Sequence, residues 1–326
     1  MAETLRSTRY LDPTALARLK NLGLAARLVV DGLFSGQHKS PHRGFSVEFA
    51  EHREYTPGVD PRHLDWKVLA KRDKYYIKQY EEQTNLRCYL LLDASASMGY
   101  RHSGELTKLE YGCFCAASLA YLMQSQHDAF GLITFDTQVR HFVPPRQGRS
   151  HLRHVHEQLD SLSPGGETDL PGTFHELAER MKRRALVVVL SDLLGASGGN
   201  GDARRHGRAE VGRDDPAARQ LIDAISHLRH RKHEVVVMQI LDRAELDFPF
   251  RDATQIEDIE TTDYIEADAD AIRNHYLEAL NTYLDVIRGG CLSNGVEYAM
   301  TDTSQPFDAF LATYLTRRQM YAGAGR

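Results

Sequence analysis

Long apolar runs are missing from this chain. No window of about 18 consecutive apolar residues occurs, so the sequence predicts no span of a bilayer. The opening "MAETLRSTRYLDPT" carries no apolar signal core, and the expectation is a soluble, cytoplasmic protein. Cysteine is scarce: Cys88, Cys113, Cys115 and Cys291 form no paired framework, which points to a reduced, intracellular compartment. Cys113 and Cys115 are no CxxC pair; two apart on a helix they diverge by about 200°, so core packing is their default role. An excess of positive charge is absent too. A net charge of −5 gives no basic surface to neutralise phosphates, which argues against nucleic acid as the main partner. Neither a G-x-x-x-x-G-K-S/T loop nor a G-x-S-x-G elbow occurs, so nucleotide-hydrolysing and serine-hydrolase readings are poor.

What is present suits a globular chain: 42% apolar and 26% charged residues across 326 positions. That length suggests one large domain with an appendage. Residues 1–84 read as an N-terminal flanking segment, with a helix at 13–34 and short strand candidates at "FSVEFA" and "KYYIKQY". From residue 85 to 326 the pattern is one of alternation. Continuous apolar runs such as "RCYLLLDAS", "DAFGLITFD", "ALVVVLSD" and "HEVVVMQIL" read as buried strands. "QVRHFVPP" and "VEYAMTD" read as further strands. Helices are predicted at 109–124, 149–161, 171–182, 216–230, 268–288 and 306–318. The Gly/Arg-rich stretch at about 196–215 reads as a flexible surface loop, and the acidic stretch before residue 268 as irregular. Alternating strands and helices predict an α/β fold with a Rossmann-like, doubly wound, mostly parallel sheet.

Ligands of such sheets bind outside the carboxyl ends of strands. Two buried runs end there in aspartate, Asp93 and Asp192. Asp93 opens "DASAS", which places Ser95 and Ser97 at spacing two, and "SPGGETDL" offers Thr168 on a Gly-rich turn before a helix. Asp93, Ser95, Ser97, Thr168 and Asp192 are all oxygen donors. Hard oxygen ligands with two carboxylates suit Mg²⁺ or Mn²⁺, and the hydroxyls fill positions without adding charge. An ion so held stays electrophilic and open to an outside carboxylate. No catalytic base accompanies the set, and the expectation is a non-enzymatic interaction module.

"DASAS", with Thr168 and Asp192 behind it, resembles the metal-ion-dependent adhesion site of von Willebrand factor A domains. The resemblance implies that fold, with Mg²⁺ or Mn²⁺ held by Asp93, Ser95, Ser97, Thr168 and Asp192. Residues 36–66 resemble the signature of the bacterial domain of unknown function 58 family: Arg53 and Tyr55, Gly58-Val59-Asp60, Arg62, then Asp65 and Trp66. Val59 stands where that pattern has an aspartate. Membership implies an adaptor working with a MoxR-type AAA ATPase, or its client, in chaperone-like assembly or metal insertion.

Other readings of the same residues are blander. Ser95 and Ser97 could cap the helix that follows. A strand-tip Asp93 could also serve a Mg²⁺-dependent phosphohydrolase, although aspartyl-phosphate enzymes resemble D-x-D and position 95 is serine. The 16 histidines cluster at His151, His154 and His156, at His227, His230 and His233, and at His38 and His42. No cysteine or carboxylate completes a four-ligand zinc shell at a familiar spacing, so surface histidines are expected. In the 53–66 stretch, Trp66 and an Arg62 pairing with Asp60 or Asp65 read as structural anchors.

Overall fold

The computed structural model describes residues 47–54, 75–82, 87–194, 216–257 and 264–324. The helix expected at 13–34, the signature residues from Tyr55 to Trp66, His38, His42 and the loop at 196–215 lie outside them. The described residues fall into two compact units, one within Val30–Asn85 and one within Leu86–Arg326. In the first, β1 (Val47–Glu54) pairs antiparallel with β2 (Tyr76–Glu82), with an irregularity between Phe49 and Glu51.

The second unit runs β3 (Arg87–Asp93), α1 (Lys108–Ser125), β4 (Ala129–Phe135), β5 (Val139–Arg146), α2 (Arg149–Asp160), α3 (Leu170–Arg180) and β6 (Leu186–Ser191). Then come α4 (Pro216–His230), β7 (Glu234–Leu241), α5 (Arg243–Asp247), β8 (Ala253–Glu257), β9 (Tyr264–Asp268), α6 (Ala269–Ser293), β10 (Glu297–Asp302) and α7 (Phe307–Ala324). Six strands form one sheet in the order β10-β7-β6-β3-β4-β5, all neighbours parallel except the edge strand β5, which runs antiparallel to β4. Counted from β3, the order from one edge is 3-2-1-4-5-6, the doubly wound arrangement. The Rossmann-like, doubly wound, mostly parallel sheet expected from the sequence is therefore present, with one antiparallel edge.

Strand order also fixes where a site can form. The chain moves outward from β3 to β4 and β5, then returns to start β6 on the other side of β3. Connections leaving β3 and β6 diverge, so a crevice opens at their carboxyl ends. Those ends are Asp93 and the residues just after Ser191.

Period-two alternation sorts the apolar runs between the two faces. Leu91, Ile133, Val187, Val189, Val235 and Val237 face one core, packed with Phe174 and Leu177 of α3, Leu221 and Ile225 of α4, and Ile287 of α6. Their neighbours Leu90, Leu92, Leu132, Val188, Leu190 and Val236 alternate to the opposite face and are equally buried. Burial all round α1 follows: Leu109, Tyr111, Cys113, Cys115, Leu119 and Leu122 are all inside, which is why two cysteines that diverge on the helix are both core residues. Burial pushes the thiols of Cys88 and Cys291 up to about 12, so neither is a reactive thiolate at neutral pH.

The sequence reading needs three corrections. The stretch before residue 268 is not irregular: α5 follows β7 directly, capped by Asp242, and β8 pairs antiparallel with β9. These elements are five residues each, too short for periodicity to declare. Helix α6 continues to Ser293 through Gly289 and Gly290, a pair that reads as a stop. Gly290 is there for packing, since a Cβ on it would lie 2.3 Å from Cδ1 of Ile222 on α4. The third concerns the histidines. His151, His156 and His233 are buried rather than on the surface. A ring nitrogen of His151 bonds the Phe130 carbonyl and one of His233 bonds that of Met181. Burial lowers the pKa of all three, which keeps them neutral packing groups. His227 turns instead to His175 of α3, with the two Nδ1 atoms 2.9 Å apart.

Candidate metal centre

Asp93 ends β3 fully buried. Its Oδ1 accepts the Ser95 N–H at 2.9 Å, and its Oδ2 accepts the Ser191 hydroxyl at 2.6 Å. Both donors are neutral. Burial raises the Asp93 pKa, the nearby charge of Asp192 raises it further, and the Ser191 and Ser95 hydrogen bonds only partly offset this, leaving it pushed up to about 7. Neither of these hydrogen-bond donors brings a positive charge to the carboxylate.

Ser95 and Ser97 bring their Oγ atoms to 3.1 Å of each other. They do not cap α1. That helix begins later and has its own capping box, in which Thr107 Oγ1 accepts the Glu110 N–H and Glu110 accepts the Thr107 N–H. Residues Ala96–Gly99 form a short 3₁₀ turn after Ser95, which makes no side-chain cap hydrogen bond to it. The hydroxyl pair is thus not needed for helix initiation.

The loop carrying Thr168 is laced to this turn by backbone bonds: Ala96 N–H to the Gly166 carbonyl at 3.0 Å, and Gly165 N–H to the Ala94 carbonyl at 3.0 Å. Gly166 takes φ +73°, a conformation open to glycine at low cost. Thr168 is buried, just before Asp169 caps α3 through the Gly172 N–H. Arg140, on β5, braces the loop. Its guanidinium donates to Asp136 Oδ2 at 2.5 Å, to the Ser163 carbonyl at 2.9 Å and to the Gly165 carbonyl. Sequence reasoning passed over Arg140, since an arginine on an edge strand gives no signal of a carbonyl clamp.

Asp192 is fully buried beyond β6. Its Oδ1 accepts the Leu194 N–H at 3.1 Å, its carbonyl accepts from Gln239 at 2.6 Å, and its Oδ2 meets Lys108 Nζ at 2.7 Å. Lys108 also reaches Glu245 Oε1 on α5 at 2.7 Å. Burial disfavours the Lys108 charge, but the attraction of Asp192 and Glu245 outweighs it and holds the pKa above the usual lysine value. Leu193 follows Asp192 at φ +58°, an uncommon backbone for a bulky residue. Ser191 Oγ holds the turn by accepting the Leu193 N–H at 2.9 Å.

Asp93, Ser95, Ser97, Thr168 and Asp192 thus sit on three loops at the crevice between β3 and β6, with the first two loops directly bonded together. Among the described residues no three His, Cys, Asp or Glu side chains form a metal-holding group, so an ion here must draw on hydroxyl oxygens. The donor chemistry fits a hard dication: adjacent hydroxyls, and a buried carboxylate whose partners are neutral.

An open α/β sheet with an oxygen-lined crevice at its switch point defines the class of this protein. Within that class the chain belongs to the family described as protein of unknown function DUF58, whose model matches residues 51–283. Curated relatives include uncharacterized proteins of Mycobacterium tuberculosis and Mycobacterium bovis, each 26% identical over 323 residues, covering 96% of this chain and 93% of the relative. Similar solved structures include the conserved hypothetical protein BatB from Bacteroides thetaiotaomicron, 14% identical with a TM-score of 0.43, covering 73% of this chain and 99% of that one. The VWA domain of SpRpn10 is 11% identical with a TM-score of 0.37, covering 72% of this chain and 94% of that domain. Among the described residues no helix is long and apolar enough to cross a membrane.

If the crevice takes up Mg²⁺, Arg140→Ala is expected to weaken that binding about tenfold by freeing the Ser163 and Gly165 carbonyls, since lost hydrogen bonds in the loop cost on the order of 1–2 kcal/mol. Arg140→Lys keeps one donor and is expected to fall between. Isothermal titration with Mg²⁺ measures both.

Proposed function

We propose that this protein is a non-enzymatic interaction module that binds a partner's carboxylate through Mg²⁺ or Mn²⁺ held by Asp93, Ser95, Ser97, Thr168 and Asp192. The observation that carries the reading is Asp93: a fully buried carboxylate with neutral partners, beside two hydroxyls that no helix cap uses. When bound, the ion supplies a Lewis-acidic point for an incoming Asp or Glu. This chain's residues orient the hydroxyls and keep the loops closed around the crevice. As the partner we infer a MoxR-type AAA ATPase, or its client, in chaperone-like assembly in the cytoplasm, from the resemblance of residues 36–66 to the family signature.

A Mg²⁺-dependent phosphohydrolase using Asp93 fits less well. Aspartyl-phosphate enzymes resemble D-x-D, and here the second position is Ser95. Turnover of a generic phosphate ester that Asp93→Ala abolishes would favour that enzyme.

Affinity for a candidate ATPase, measured by biolayer interferometry in millimolar Mg²⁺ and in EDTA, tests the adaptor reading. Binding is expected to fall at least tenfold in EDTA, and equal affinity in both would count against a metal-bridged contact.

A further inference from the structure

Lys108 stands in the first turn of α1 and is 1% exposed, with its ammonium between two carboxylates contributed by distant parts of the chain. Asp192 Oδ2 and Glu245 Oε1 each lie 2.7 Å from Nζ. The second Glu245 oxygen accepts the Asp242 N–H at 2.6 Å, and the Tyr100 ring lies 5.8 Å from Nζ. Every contact of the ammonium is therefore built, and one of its partners is a member of the metal set.

An ammonium and a hard dication compete for the same carboxylate. The charge on Lys108 partly neutralises Asp192 and also repels a second cation in a poorly screened setting. The same contact leaves Asp192 paired when no metal is bound, so the metal-free fold does not carry an isolated charge there. Glu245 works the other way: it draws the ammonium away from Asp192 and shares its charge.

We propose that Lys108 and Glu245 set the affinity of the crevice for dications, the ammonium weakening it and the carboxylate strengthening it, so that the ion loads reversibly onto a protein already folded. This rests on the metal reading above and assigns the pair a positioning role through Asp192.

Opposite signs make the test sharp. Mn²⁺ affinity of the full chain is measured by titration calorimetry and by loss of the free-ion electron spin resonance signal. Lys108→Gln, which keeps a hydrogen-bond donor and removes the charge, is expected to bind Mn²⁺ about tenfold more tightly, as loss of a nearby like charge requires. Glu245→Gln, which leaves the ammonium wholly to Asp192, is expected to bind more weakly by a similar factor. A merely structural role would weaken binding in both variants, and that result, or equal affinity in all three proteins, overturns the proposal while leaving the metal site standing. Absence of Mn²⁺ binding in the wild type and both variants overturns the metal reading and this proposal with it. Should Lys108→Gln fail to fold by circular dichroism, Lys108→Gln/Glu245→Gln, which balances the buried charge, is held to the same outcome: tighter binding than Glu245→Gln supports the proposal, and equal or weaker binding overturns it.

Discussion

Millimolar Mg²⁺ is expected to raise the melting temperature of the wild-type protein, and Ser95→Ala/Ser97→Ala is expected to erase that rise. A ligand that binds only the folded state stabilises by mass action, about 2.7 kcal/mol at a hundredfold excess over the dissociation constant. For a domain of this size that is a shift of roughly 5–10 °C. The double substitution removes the hydroxyl pair but keeps both aspartates and both backbone bonds to the Thr168 loop. Its metal-free cost is expected to be about 1 kcal/mol, the net worth of one hydrogen bond. Scanning calorimetry with Mg²⁺ and with EDTA reads both quantities. A rise that survives the double change would place the ion elsewhere in the chain.

Asp93→Asn is expected to make the metal-free protein more stable at pH 8. The sign follows from linkage. The folded-state pKa of Asp93 is raised from 3.8 to about 7. Its contribution is therefore most favourable below about pH 4 and is lost as pH rises through about 7, where the folded state must hold a buried anion. Asparagine keeps the shape without the charge, and its carbonyl can still accept one of the two hydrogen bonds. At pH 8 in EDTA the variant should melt several degrees above wild type, on the scale of 2–4 °C per kcal/mol for such a domain. At pH 5 the gap should shrink. Mg²⁺ should stabilise the wild type and leave the variant unmoved. A variant that melts below wild type at pH 8 would mean that the hydrogen bonds matter more there than the charge.

Much of this arrangement can be read from residue order, for a physical reason. Strands buried on both faces must be apolar throughout, so "YLLLD" and "VVVLSD" announce both their own positions and the polar residues that end them. Doubly wound topology then brings those ends together without further information. Lys108 and Glu245 could not be read the same way. A lysine opening a helix and a glutamate in a capping position look solvated, and the pairings of Lys108 with Asp192 and with Glu245 span 84 and 137 residues of sequence. Only the placement of Asp192 after β6 and of Glu245 after β7 reveals that the lysine is enclosed. Arg140 hid for a similar reason, because its partners are backbone carbonyls, which every sequence possesses.

Leu193 links the crevice to the interior in a way that constrains change. Its left-handed backbone turns the chain directly after Asp192, while its fully buried side chain belongs to the apolar cluster beneath the sheet, and its carbonyl receives the Tyr283 hydroxyl at 2.5 Å. A glycine would relax the turn yet hollow out the cluster, and a β-branched residue would fill the cluster yet resist the turn. Evolution or design at this position therefore cannot tune the proposed metal site and thermal robustness independently.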